Sequence, residues 1–205
     1  MRQLVIDSAS EACSVALFDE GALVDHRHAI IGRGHAEKLL PFIAELEGGG
    51  RAGAIFVGCG PGSFAGVRIG VAAARALGFG WDVPVRGFST LALVAAAHRE
   101  EVQAGNGALV VMEGGHGQWF VQPFDDQLAP RGQMRSLLPD VAIGHEDALV
   151  IGNRAEAFVE QRGHGRALSC SPDARAFPFL PDNSCFDPPT PIYGRAPDAK
   201  PMAAR

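Results

Sequence analysis

Three strand-like runs follow one another at the start of the chain, and the pattern then changes to an alternation of strands and helices. Residues 2–7 form a mostly apolar run closed by Asp7. Residues 13–19 alternate, Asp19-Glu20-Gly21 supplies a turn, and residues 22–30 read as a third strand. Three strands with short links make an antiparallel meander. Residues 36–46 then place Leu39, Ile43 and Leu46 on one helical stripe, with Pro41 either kinking the helix or starting its main part. Residues 54–58 read as a short buried strand, 67–79 as an alanine-rich helix and 83–88 as another strand, with Ser89 capping a helix that runs to about Gly105. The order is β-β-β-α-β-α-β-α.

A meander followed by right-handed crossovers gives one mixed sheet with helices over its faces. That α/β connectivity belongs to the ribonuclease-H-like half of the actin, Hsp70 and sugar-kinase group, and residues 1–105 are expected to form one full lobe of it. The rest is less regular. Residues 109–112 and 118–124 suggest a hairpin, and 150–152 a strand leading into a helix at 154–161. A smaller, diverged second lobe is expected over 106–170, the chain being too short for two complete ones. After Ser171 come eight of the 14 prolines, so 171–205 is expected to be an extended or loosely ordered tail.

Apolar residues make up 47% of the 205 and charged residues 20%, which excludes a disordered chain. Lys plus Arg number 18 against 23 Asp plus Glu, a net charge of -5 that argues against a free-standing nucleic-acid binder. The first apolar run is too short for a signal peptide, and no run approaches a membrane span. Cys13, Cys59, Cys170 and Cys185 are scattered, as reduced thiols of a cytoplasmic protein would be.

The sharpest motif is Gly58-Cys59-Gly60-Pro61-Gly62-Ser63-Phe64-Ala65-Gly66-Val67-Arg68-Ile69-Gly70, between an expected strand and an expected helix. Backbone N–H groups there could face an anion, with Asp7, Ser8, Gly60, Gly62 and Ser63 as the candidate lining. Asp7 suits either a phosphate- or metal-facing carboxylate or the cap of the Ser8-Ala9-Ser10 turn. A P-loop needs an adjacent lysine, and the only lysines are Lys38 and Lys200. The GxGxxG/A spacing of a dinucleotide fold is met by Gly60, Gly62 and Ala65, but Asp82 precedes the next strand where a ribose-binding acid should end it. An actin-type phosphate loop would need a second full lobe. Against these stands a packing role. Gly66, Gly70 and Ala74 recur at four-residue spacing and leave a smooth helix face, flanked by Arg68 and Arg75. The preceding helix carries Leu39, Leu40, Ile43 and Leu46, broader than one buried stripe needs. Together they suggest a docking surface, on which Gly70→Leu would break docking and leave the monomer folded. Seven histidines form no HxxxH or HExxH, and no GxSxG elbow is present. No metal site or catalytic set is expected.

The residues quoted so far carry a resemblance. Ile6–Leu17, His35-Ala36-Glu37 leading to Leu39-Leu40-Pro41, the loop from Gly60 to Gly70, Gly87–Leu91 and the tail Pro191–Lys200 together resemble the bacterial TsaB (YeaZ) family. The match is dense over residues 2–95, returns at 188–201 and is thin between. The resemblance implies a non-catalytic relative of the catalytic subunit TsaD, lacking its metal-binding histidines. With TsaD and the ATPase TsaE, such a subunit supports threonylcarbamoyl transfer to the adenosine beside the anticodon of tRNAs reading A-starting codons. It also implies that the pair of helices at about His35–Glu47 and Val67–Phe79 contacts TsaD. The implied interface set is His35, Leu39, Leu40, Ile43, Gly66, Arg68, Gly70 and Ala74. No cofactor is expected on this chain alone, ATP entering only at the shared complex; tRNA is met through the complex, and a homodimer is open in isolation. Cys59 stands where the family usually has arginine, Ala65 replaces a usual threonine, Glu47–Gly50 shortens a connection, and Met112–Gly117 lacks the usual acidic-arginine signature. The rival reading is an enzyme in its own right, an ATP-dependent phosphotransferase or an M22-type metallopeptidase of the same fold.

Overall fold

The structure, a computed structural model, describes residues 1–194. In the first half, β1 (Gln3–Asp7), β2 (Ala12–Asp19) and β3 (Ala22–Ile30) form the expected meander. Strands β4 (Ala54–Gly58) and β5 (Val85–Phe88) add in parallel, giving the order β3-β2-β1-β4-β5. Side-chain alternation divides the central strands between two buried faces. Leu4, Ile6, Val15, Leu17, Ile55 and Val57 meet α1 (His35–Ala44) and α2 (Phe64–Trp81). Val5, Ala16, Phe18, Ala54 and Phe56 meet Leu93 of α3 (Thr90–Ala97) and the C-terminal segment. Pro41 lies inside α1 without ending it.

The second half corrects the expectation of an incomplete lobe. β6 (Ala108–Glu113), β7 (Trp119–Phe124) and β8 (Arg135–Leu137) form a second antiparallel meander, and β9 (Leu149–Ile151) and β10 (Arg166–Leu168) extend it in parallel. Its order, β8-β7-β6-β9-β10, repeats that of the first sheet strand for strand. Helices α5 (Pro139–Ala142) and α6 (Ala155–Arg162) occupy the chain positions of α1 and α2. The second lobe is small because its elements are short, and its topology is whole.

The helix expected from Ser89 to Gly105 is two. It breaks at His98 (φ -121°, ψ 32°) into α3 and α4 (Arg99–Ala104). Leu91, Val94 and Ala95 of α3 join the core of the second sheet while Leu93 joins that of the first. A helix wedged between two sheets must be apolar all round, as α3 is.

Residues 171–194 are extended but packed, not loose. Two 3-10 turns, Ala174–Phe179 and Asp182–Ser184, lie along this segment. Phe177 rests 4.5 Å from Phe56 and 5.5 Å from Phe88, ring centre to ring centre. Gly87 and Phe186 exchange both backbone hydrogen bonds, at 2.8 and 2.9 Å, so the segment covers the open edge of β5. Prolines bar a long ladder without barring side-chain packing. The Arg195–Lys200 part of the family-like tail lies outside the described residues. Among the described residues, no helix is long and apolar enough to cross a membrane.

Candidate docking face and interlobe cleft

Helix α2 starts where the glycine-rich loop lets it. Gly60 takes φ 89°, and Ser63 caps the helix by accepting the Gly66 N–H at 3.3 Å. The helix then lies against the β1–β2 turn more closely than a side chain would allow. A Cβ on Gly70 would stand 2.5 Å from Ser8 Oγ, and one on Gly66 would collide with the Ser8 carbonyl. Ser8 Oγ itself donates to the Gly66 carbonyl at 2.9 Å.

The smooth stripe therefore faces inward, and this corrects the expected docking surface. Gly66, Gly70 and Ala74 are buried against the chain's own sheet. So are Leu39 and Ile43 of α1, while the His35 ring is buried with Nε2 3.2 Å from the Ala12 carbonyl. Close helix-to-sheet approach requires small residues just as helix-to-helix approach does. The expectation that Gly70→Leu spares the monomer fails with it.

The outward side of the same two helices carries a different set. Leu40 is 52% exposed, with Ala36, Pro41 and Ala44 beside it on α1. On α2, Ala65, Arg68, Ala72 and Ala76 lead to Phe79, which is 93% exposed. Of the expected interface residues, only Leu40 and Arg68 belong to this surface. Phe64 and Phe79, which the sequence does not single out, are exposed large apolar side chains of α2, so this helix is apolar on both sides.

The anion-facing set also divides. Asp7 is buried: its Oδ1 accepts the Ala9 N–H at 3.0 Å and its Oδ2 accepts the Thr90 hydroxyl at 2.8 Å. It caps the turn, so of its two readings the capping one holds, and neither it nor Ser8 borders open space. Burial pushes the Asp7 carboxyl up to about 6, against the lowering effect of its two hydrogen bonds. Burial, with the Asp7 charge adding to it, pushes the Cys59 thiol up to about 12 and the Cys13 thiol to about 11. Gly60 lies under the C-terminal segment, where a Cβ would meet the Ile192 carbonyl at 3.0 Å.

Gly62 and Ser63 do border a cleft of about 740 Å³ between the lobes, with Glu11, Glu113, His116 and Tyr193. Asn153 joins its two hairpins, accepting the Glu113 N–H at 2.8 Å and donating to Glu11 at 3.2 Å. Glu113 is paired with Arg154. Glu11 and Glu113 thus enter the cleft from opposite lobes, and Arg68 lines it as well. Among the described residues, no three His, Cys, Asp or Glu side chains converge as a metal-ligand group.

Comparison with known proteins adds to this geometry. The profile of the TsaD family, tRNA N6-adenosine threonylcarbamoyltransferase, matches residues 29–162. The tRNA threonylcarbamoyladenosine biosynthesis protein TsaB of Escherichia coli is 42% identical over 100 residues, 46% of this chain and 43% of that protein. The chain thus spans under half the length of that relative. An uncharacterized protein of Mycobacterium tuberculosis is 30% identical over 220 residues, covering 98% of this chain and 94% of its own. The structure of YeaZ from Pseudomonas aeruginosa superposes with a TM-score of 0.72 at 29% identity, over 87% of this chain and 89% of that one. A shared profile over most of the chain, a near full-length relative and a common fold lead to one conclusion: the chain belongs to the TsaB/YeaZ family, within the wider TsaD-like group.

Proposed function

We propose that this chain is a non-catalytic subunit that docks a TsaD-type catalytic subunit through the outward faces of α1 and α2. In that role it supports threonylcarbamoylation of the adenosine beside the anticodon in tRNAs reading A-starting codons. One observation carries the reading. A helix pair that already fills the core with its inner side keeps an apolar outer side, with Leu40 and Phe79 uncovered. The E. coli relative's name, a threonylcarbamoyladenosine biosynthesis protein, supports the pathway. A net charge of -5 leaves tRNA to be met through the other subunits, with TsaE supplying ATP turnover. No nucleotide binds the chain alone, and in isolation the same apolar face can pair two copies.

The test is substitution on the outward face. Phe79 has almost no contact within its own chain, so Phe79→Asp keeps the fold. An anchor residue at an interface is worth about 2 kcal/mol or more, which predicts at least a roughly 30-fold loss of affinity for the catalytic subunit. Unchanged co-elution of a Leu40→Asp/Phe79→Asp chain with that subunit would count decisively against this face.

A further inference from the structure

The segment leaving the second lobe after β10 reaches α2, and it is gripped there by that helix's arginines. Arg75 Nη2 donates to the Pro189 carbonyl at 2.7 Å, and Arg68 Nε donates to the Tyr193 hydroxyl at 3.0 Å. The Arg68 guanidinium lies 3.6 Å over the Phe64 ring, whose centre is 5.5 Å from that of Tyr193. Phe64, Arg68 and Tyr193 thus form one stack at the first turn of α2. Farther back the segment is held independently: the Ile192 N–H donates to the Cys59 carbonyl at 2.7 Å, and Arg86 donates to the Cys185 carbonyl at 3.0 Å.

Arg68 and Arg75 therefore have partners inside the chain. What they do is tie the segment to the face they flank. Phe64 and Arg68 are both largely exposed and would otherwise sample several rotamers. Ordering such side chains before docking removes an entropy cost that binding would otherwise bear.

We infer that Tyr193, acting through Arg68 and Phe64, is a positioning residue of the docking face, so that the segment from the second lobe sets how α2 meets the catalytic subunit. This rests on the docking role proposed above.

The experiment compares Tyr193→Ala, Tyr193→Phe, Arg68→Ala and the Tyr193→Ala/Arg68→Ala double variant in the full chain. Three quantities are read: melting of the chain alone, amide exchange over residues 64–70 of the chain alone, and Kd for the catalytic subunit. Tyr193→Ala should leave melting close to wild type, because the Ile192 and Arg86 anchors remain. It should speed exchange in the first turn of α2 and weaken docking about tenfold. Tyr193→Phe keeps the ring and should recover most of that loss. The double variant should bind no more weakly than the worse single one, because the two side chains act as a unit. Should Tyr193→Ala melt early, Tyr193→Phe decides, with docking expected to be about two- to threefold weaker than wild type. Unchanged exchange, unchanged docking or strictly additive losses would each overturn the proposal. Absence of wild-type binding would overturn the docking role itself and this proposal with it, whereas normal wild-type binding with indifferent variants overturns this proposal alone.

Discussion

Gly66→Ala and Gly80→Ala make the same chemical change in the same helix, and the structure expects them to have opposite signs. Inside a helix, alanine is normally favoured over glycine by up to about 1 kcal/mol. At Gly80 a Cβ would meet nothing within 4 Å, so a gain of some tenths of a kcal/mol is expected near this helix end. At Gly66 a Cβ would stand 2.1 Å from the Ser8 carbonyl oxygen, inside the 3.0 Å that real Cβ atoms essentially never breach. Ser8 cannot retreat, because it joins β1 to the turn that Asp7 caps through the Ala9 N–H. The first turn of α2 must lift instead. Overpacking of this kind costs about 1–3 kcal/mol, and losing the Ser8–Gly66 hydrogen bond about 1 more. After the helix gain, Gly66→Ala should be destabilised by about 1–3 kcal/mol. For a chain of this size that is a fall of roughly 2–12 °C in Tm. Urea unfolding at 25 °C followed by far-UV circular dichroism measures both variants. A Gly66→Ala protein as stable as Gly80→Ala would mean the stripe faces solvent, and the inward packing of α2 would be refuted. An equal fall in both would show that the Ser8 contact is not the cause.

The buried carboxyl of Asp7, raised from 3.8 to about 6, makes the fold bind this proton more tightly than the unfolded chain does. Its contribution is therefore fully present below about pH 4 and lost as pH rises through about 6, at a cost of up to about 3 kcal/mol. Asp7→Asn should be more stable than wild type at pH 7.5 and lose that advantage at pH 4; a less stable variant at pH 7.5 would contradict this. Cys13 and Cys59, buried and with thiols pushed to about 11 and 12, should resist iodoacetamide at pH 8 until the chain is unfolded. Alkylated Cys59 in the native protein, read by peptide mass spectrometry, would show the loop to be open. Phe79→Asp, with its loss of docking, and Tyr193→Ala, with its faster exchange in the first turn of α2, complete the set.

Asp7 shows how one position can be legible as a site yet ambiguous in role. An acid at the end of a first strand is visible in the sequence. Whether its carboxylate meets a cleft or the turn beside it depends on where Thr90 arrives from 83 residues away. The completeness of the second lobe was hidden for a different reason. β8 and β10 are three residues each, below the run of about four over which alternation becomes a usable signal, and they are strands only because β7 and β9 pair with them. No local pattern at residues 135–137 or 166–168 could have revealed a complete repeat of the first sheet.

The elements of the first half were set by the sequence itself. The apolar run of β1, the alternation of β2, the Ser89 cap and the helical spacing of α1 are local signals, and local physics suffices to form them. Family membership was legible for a related reason: its signatures are short runs such as Gly60–Gly70, each needed where it stands. Tertiary structure alone decided which side of α2 is inside. Periodicity tells which residues share a face, but when one face is Gly66-Gly70-Ala74 and the other ends in Phe79, both can be buried. The choice falls to the neighbour. The β1–β2 turn comes so close that only glycine fits beneath it, so the small residues turn inward and Phe79 is left outside.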